Sequence, residues 1–184
     1  MNDSPGPSVV AREEIYAGRI IRVSVDTVRE GGQTYTREAV WHNGGAAAVA
    51  CYGDGTVALV RQYRYPTGRF VLELPAGRIE AGERPEVCAA RELEEELGVV
   101  AERLEPLSEF YTTPGFCSER LWVFVATGLR ETERRHDEDE IIEVVRLPFA
   151  RALAMVAAGE IEDAKTIIGL LLAAQRPSVG QRAE

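Results

Sequence analysis

Glu92, Glu95 and Glu96 stand at i, i+3 and i+4 in a run that reads as helix, a spacing that gathers three carboxylates within little more than one turn. Like charges so placed weaken an isolated helix by roughly 0.2–0.5 kcal/mol per pair. Hard divalent cations are the natural compensation. Mg2+ accepts one or two protein carboxylates, keeps several waters and completes its octahedron with substrate phosphate oxygens. Val87, Ala90, Leu93 and Leu97 supply an apolar stripe at helical spacing, so one side of the helix is expected to pack while the other concentrates negative charge. A glutamate-rich helix is more often just a solvated face. The flanking residues must separate the two cases.

They do. Gly77, Glu83, Arg91, Glu92, Leu93, Glu95, Glu96, Gly98 and Val99 fit the pattern Gly-x5-Glu-x7-Arg-Glu-U-x-Glu-Glu-x-Gly-U, with U aliphatic. At average residue usage the fixed positions match by chance on the order of once in ten million chains. The segment resembles the Nudix hydrolase signature at every defined position. That resemblance implies an α/β fold, an α/β/α sandwich with a mixed sheet, and cleavage of nucleoside diphosphates linked to another group with Mg2+, for which Mn2+ can substitute. It makes Glu92 and Glu96 the main metal ligands, Glu95 an assisting catalytic residue, and the carbonyl of Ala76 a further metal ligand. Glu83 and Arg91 would tie the loop to the helix by an ion pair. Gly77 and Gly98 would take backbone conformations that a Cβ penalises.

Features outside the box resemble the ADP-ribose pyrophosphatase subgroup of the same family. Pro114 lies fifteen residues beyond Val99, in Thr113-Pro114-Gly115-Phe116; a Pro-Gly pair is also simply a turn. The approach to the box, Val60-Arg61-Gln62-Tyr63-Arg64-Tyr65 and then Glu73-Leu74-Pro75-Ala76, looks very like that subgroup. By that resemblance Arg64 contacts the diphosphate or ribose of the substrate, with Arg61 either sharing the role or remaining a solvated strand-edge charge. Glu73 contacts adenine, lies near the metals, or forms a surface ion pair. The acidic run from His136 to Glu143 sits where the subgroup carries its catalytic loop. Glu138 is then the general base and Glu140 an additional metal ligand, with Asp137 and Asp139 as alternatives if the alignment slips. Glu119 is a candidate for recognising the terminal ribose.

The elements that must position these groups follow from the pattern of the chain. β-branched runs at Arg19–Val28 and Gln33–Trp41 flank Gly31-Gly32, and runs at Ala46–Tyr52 and Thr56–Tyr63 flank Gly53-Asp54-Gly55; both are hairpin signals. A short run, Arg69–Leu74, leads to Pro75-Ala76-Gly77. A helix is expected from Pro85 to Leu97, stopped by Gly98. Strands follow at Leu104–Tyr111, Leu121–Thr127 and Ile141–Leu147, then helices at Pro148–Ala158 and Ile161–Gln175. Residues 1–7 are expected to fray.

Bulk properties set the limits. The chain has 184 residues, 45% of them apolar, and a formal net charge of −9, which argues against a phosphate-neutralising nucleic-acid surface or docking on anionic lipid. Three scattered cysteines and two histidines suit neither a zinc site nor a disulfide framework. With no apolar run of membrane-spanning length and no signal-like start, a cytoplasmic protein is expected. The expected organisation is a β segment over 1–44, resembling the strands with which this subgroup builds a homodimer, then a Nudix domain over 45–176 and a tail over 177–184. The implied activity is Mg2+-dependent hydrolysis of ADP-ribose to AMP and ribose 5-phosphate. The alternatives are another small-molecule nucleotide substrate (UDP-glucose, GDP-mannose, NADH or FAD) and a catalytically silent nucleotide-binding domain.

Overall fold

Gly45–Cys51 (β4) consists of small and apolar side chains, and all seven residues are buried. A strand with no polar face must be covered on both sides, and here it is. In this computed structural model, which describes residues 6–134 and 141–176, residues up to Gly44 with Tyr111–Arg120 form one compact unit. Gly45–Phe110 and the chain from Leu121 onward form another.

The second unit is built on a mixed sheet. β4 runs antiparallel to Thr56–Arg64 (β5) and to Ala76–Arg78 (β7), but parallel to Arg120–Glu131 (β9). Arg69–Glu73 (β6) and Ile142–Pro148 (β10) both pair antiparallel with β5, and Val99–Tyr111 (β8) lies beside β9. On one face, Ala46, Ala48 and Ala50 meet Cys88, Ala89 and Leu93 of the box helix; the alanines let that helix sit close to the sheet. On the other face, Ala47, Val49, Val57, Leu59 and Leu74 pack against Phe149–Ala157 (α2) and Ala164–Ala173 (α3). Helices therefore cover both faces of the sheet, as the resemblance implied. A Cβ on Gly169 would lie 2.6 Å from Leu74 Cδ1 and 3.2 Å from Val49 Cγ2, so glycine lets α3 press directly onto the strand end that leads into the box.

The first unit holds three antiparallel strands, Ser8–Ala17 (β1), Ile21–Glu30 (β2) and Gln33–His42 (β3), in the order β1-β2-β3, where the sequence pattern gave two. β1 was not legible because it shows no hydrophobic alternation: all ten residues are exposed, and irregularities between Val9 and Ala11 and between Glu14 and Tyr16 shift its register. Gly31 and Gly32, with φ of +55° and +81°, make the expected tight turn between β2 and β3. Inside the unit, Trp41 Nε1 donates to Ser24 Oγ at 2.8 Å, and Arg12 pairs with buried Asp26 while lying 4.4 Å over the Trp41 ring. The Tyr111–Arg120 loop hydrogen-bonds along β3, from Val40 N–H to Phe116 O and from Ser118 N–H to Val40 O.

Two helical boundaries differ from expectation. The box helix is α-helical over Pro85–Glu92 (α1), and Leu93–Leu97 continue as a wider π-type turn. α3 begins at Ala164 rather than near Ile161, because the Asp163 carboxylate accepts from Thr166 N–H at 2.9 Å and sets the N-terminus there. Among the described residues, no helix is long and apolar enough to cross a membrane.

Candidate functional site

The box helix turns its carboxylates inward. Val87 and Ala90, expected on the packed stripe, are exposed, whereas Cys88, Ala89, Leu93, Glu92 and Glu96 are buried. Glu92 is 8% and Glu96 4% exposed, while Glu95 stands at the rim with its side chain 38% exposed. A helix face that packs while carrying two carboxylates needs partners for them, and the surrounding backbone and Arg91 provide several.

Arg91 is the organiser. Its Nε and Nη2 donate to the two oxygens of Glu83 at 3.1 and 3.3 Å, and Nη1 donates to Glu92 Oε1 at 2.6 Å and to Glu95 Oε2 at 2.7 Å. Nη2 also reaches the Arg78 carbonyl at 3.2 Å. One planar guanidinium thus joins the loop after β7 to two glutamates of the helix, a geometry an ammonium cannot reproduce. Hydrogen bonding from Arg91 holds the Glu83 carboxyl below its ordinary range, against a smaller opposing effect of burial. Burial alone would lower the Arg91 pKa, but its carboxylate partners raise it.

The glycines work in two different ways. Gly98, at φ +66°, ends the helix in the left-handed conformation and donates its N–H to Glu94 O, as expected. Gly77 has no positive φ. Its reason is proximity, because a Cβ there would lie 1.7 Å from Glu92 Oε1. The strand is bare where the carboxylate lies across it. Next to it, Ala76 N–H donates to Glu96 Oε2 at 3.0 Å, so β7 touches both buried glutamates.

A second charged cluster lies between β5, β6 and α3. Arg64 holds Glu73 through Nε to Oε1 at 2.6 Å and Nη2 to Oε2 at 2.9 Å. Lys165 also donates to Glu73 Oε2, and to Asp163 Oδ1 at 3.0 Å. Asp163 accepts in addition from Thr166 Oγ1 at 2.6 Å, and that hydroxyl accepts from Leu74 N–H at 2.8 Å. Glu73 is only 2% exposed. Burial pushes its pKa up, but the hydrogen bonds of Arg64 and the charge of Lys165 outweigh this and hold it below the ordinary range.

The other candidates fall as follows. Arg61, three residues before Arg64, leaves the opposite face of β5, where it meets Glu143 at 3.2 Å and lies 4.2 Å over the Phe70 ring. In the first unit, Pro114 sits in a turn closed by Phe116 and Cys117 N–H groups on Thr113 O. Glu119 accepts from Thr112 Oγ1 at 2.8 Å, and its other oxygen lies 3.5 Å from His42 Nδ1. Glu138 and Glu140, with the alternatives Asp137 and Asp139, lie outside the described residues. Cys51 and Cys88 are buried, and burial pushes both thiols up to about 12. Lys165 was missed by motif reading, although it is the only lysine in the chain.

Among the described residues, no three His, Cys, Asp or Glu side chains are gathered as a ready-made metal cage. Glu92 and Glu96 beside Ala76 instead form a small set of hard oxygen donors, which suits Mg2+ because that ion keeps much of its water. The bare Cα of Gly77 leaves room for the Glu92 carboxylate at the same place.

Comparison with known proteins agrees with this geometry. The ADP-ribose pyrophosphatase of Bacillus subtilis (strain 168) is 42% identical over 160 residues, covering 85% of this chain and 86% of that protein. The methanol dehydrogenase activator of Bacillus methanolicus is 40% identical over 164 residues, covering 88% and 89%. A GDP-mannose pyrophosphatase of Yersinia pestis (strain Pestoides F) is 38% identical over 150 residues, covering 76% and 75%. A solved structure described as that of an ADP compounds hydrolase superposes with a TM-score of 0.82 at 24% identity, over 95% of this chain and 96% of that one, which speaks for the fold. The NUDIX domain family matches residues 41–168, and with the box residues folded around Gly77 as described, the chain belongs to the Nudix hydrolase family.

Proposed function

We propose that this protein hydrolyses the diphosphate link of ADP-ribose to give AMP and ribose 5-phosphate, with Mg2+ as its cofactor. The observation that carries the reading is the pair of buried carboxylates, Glu92 and Glu96, laid against β7 where a Cβ on Gly77 would collide with one of them. Buried carboxylates held in this way match a function of binding hard cations rather than of solvating a helix.

Glu92, Glu96 and the carbonyl of Ala76 would hold the ion, with Glu140 as a further ligand by resemblance. When bound, Mg2+ neutralises diphosphate charge and makes a water more acidic. Arg91 keeps Glu92 and Glu95 in place, and Arg64 offers its guanidinium to the diphosphate. Glu138, by resemblance, takes the proton of the attacking water. That water adds across the P–O–P link, one phosphorus gaining its oxygen as the other phosphate leaves. Glu119 is assigned to the terminal-ribose end and Pro114 to a substrate contact, also by resemblance, and Arg61 to a supporting contact. Glu73 acts through Arg64.

The strands of residues 1–44 are proposed to build a homodimer, 45–176 to form the catalytic domain and 177–184 a tail, in a cytoplasmic enzyme. The net charge of −9 supports a small-molecule substrate rather than nucleic acid or membrane. A second substrate, GDP-mannose, is favoured by the relative of that specificity at 38% identity. Product analysis on ADP-ribose, GDP-mannose, UDP-glucose and NADH with Mg2+ decides. AMP and ribose 5-phosphate formed fastest from ADP-ribose is the expected result, and faster cleavage of another compound on the panel contradicts the assignment.

A further inference from the structure

The only lysine of this chain, among 21 basic residues, sits at an internal ion pair rather than on the surface. Lys165 has a side chain 11% exposed, at the start of α3. It shares the Glu73 carboxylate with Arg64, whose own side chain is 39% exposed. Both oxygens of Glu73 are committed to Arg64, and one of them also takes Lys165.

A carboxylate paired one-to-one with Arg64 would largely cancel the charge of that guanidinium toward any anion in front of it. The second cation changes this. With Lys165 on Oε2, the negative charge of Glu73 is divided between two donors; Arg64, Glu73, Lys165 and Asp163 together balance two cations against two carboxylates, whereas without Lys165 the carboxylates would outnumber Arg64 two to one. Asp163 takes the other side of Lys165 while also capping α3 through Thr166 N–H and Oγ1, so part of its charge faces the positive helix end. The hydrogen bonds of Arg64 to Glu73 use Nε and Nη2, which leaves the Nη1 edge for a ligand.

We infer that Lys165 is a positioning residue for anion binding: by sharing Glu73 it keeps Arg64 both fixed and cationic toward the substrate diphosphate. This rests on the proposed role of Arg64 and deepens it. An ammonium suits the position because it is compact and can direct separate N–H donors to Glu73 and Asp163. The inference also explains why Glu73 is an acid at all, since a neutral residue would leave Arg64 without an anchor and place two cations side by side.

The test compares the full-length unaltered protein with Lys165→Met, Lys165→Arg, Arg64→Met and the Arg64→Met/Lys165→Met double variant. The readouts are ADP-ribose binding by calorimetry with Ca2+, steady-state hydrolysis with Mg2+, and the melting temperature. Lys165→Met should weaken binding and raise KM about tenfold while kcat stays within about threefold. Lys165→Arg should recover most of that loss, because the charge returns. In the Arg64→Met background, Lys165→Met should have no further effect on binding. An unchanged KM in folded Lys165→Met, or an additional tenfold loss in the double variant, overturns the inference. If Lys165→Met lowers the melting temperature too far to assay, Lys165→Arg with unaltered stability and a tenfold higher KM overturns it as well. Absence of AMP release by the unaltered protein counts against the proposed activity alone, since the binding comparison is read separately; absence of ADP-ribose binding counts against both.

Discussion

The box and the Arg64 cluster solve opposite electrostatic problems with the same kinds of group. In the box, a single guanidinium, Arg91, serves three carboxylates, Glu83, Glu92 and Glu95. Between β5 and α3, a single carboxylate, Glu73, serves two cations, Arg64 and Lys165. Carboxylates outnumber cations in the first; in the second, where Asp163 also holds Lys165, two cations balance two carboxylates. The first arrangement suits a divalent cation and the second an anion, and Glu96 already bears electrostatically on Arg64. A metal-bound diphosphate is the ligand that would call for both.

The sharpest way to break this contrast is to remove one charge from the box without changing its shape. Glu96→Gln should lower kcat about a thousandfold, since several kcal/mol of transition-state stabilisation would depend on the ion it is proposed to hold. Its melting temperature should change little, because an amide can still accept from Ala76 N–H. Steady-state rates across a Mg2+ titration check this, and near-normal turnover at limiting Mg2+ removes Glu96 from the role.

Gly77→Ala probes position rather than charge. The colliding atoms belong to the flexible end of Glu92, so the fold should survive while the carboxylate moves. A displacement near 1 Å is worth about a hundredfold in rate, to be measured as kcat beside an unaltered melting curve. A large loss of stability would mean that β7 itself cannot adapt. Arg91→Lys should follow at about tenfold in kcat/KM with a raised Mg2+ requirement, because an ammonium cannot hold Glu83, Glu92 and Glu95 together with the Arg78 carbonyl.

The smallest effect belongs to the Arg64 cluster and to stability. Glu73→Gln should lower stability by about 2 kcal/mol, less than a fully buried pair because Arg64 is partly exposed. The pKa of Glu73 is lowered in the folded protein. Its contribution is therefore fully present above the ordinary carboxylate range and fades as pH falls through the depressed folded value. Melting temperatures measured from pH 7 downward should converge between the unaltered protein and the variant in acid. A gap that widens as pH falls through the acid range contradicts the sign of this linkage.

How legible each region was in the sequence follows from the same contrast. The box could be read because its chemistry is local: residues 77–99 are close in sequence and spaced by helix geometry. Even so, the inward turn of Glu92 and Glu96 was not foreseen. Periodicity put Val87 and Ala90 on the buried stripe, whereas the small side chains of Cys88 and Ala89 are the ones that fit against the alanines of β4. The Arg64 cluster draws on positions 64, 73, 163 and 165, which only the fold brings together. The partners of Glu73 could therefore not be named from the sequence, and Lys165 passed unremarked. β1 was missed for a different reason, because an exposed strand with two register irregularities carries no alternating pattern. The glycine signals succeeded wherever a turn or a helix end required positive φ, as at Gly31, Gly32 and Gly98. Gly77 is held by contact with a side chain fifteen residues away, and no local rule conveys that.

Chelation tests the core of the account most directly. Protein stripped with EDTA should release no AMP from ADP-ribose, and added Mg2+ should restore full turnover. Turnover untouched by the chelator would mean that the buried glutamates serve no cation and that the diphosphate is gripped by other means.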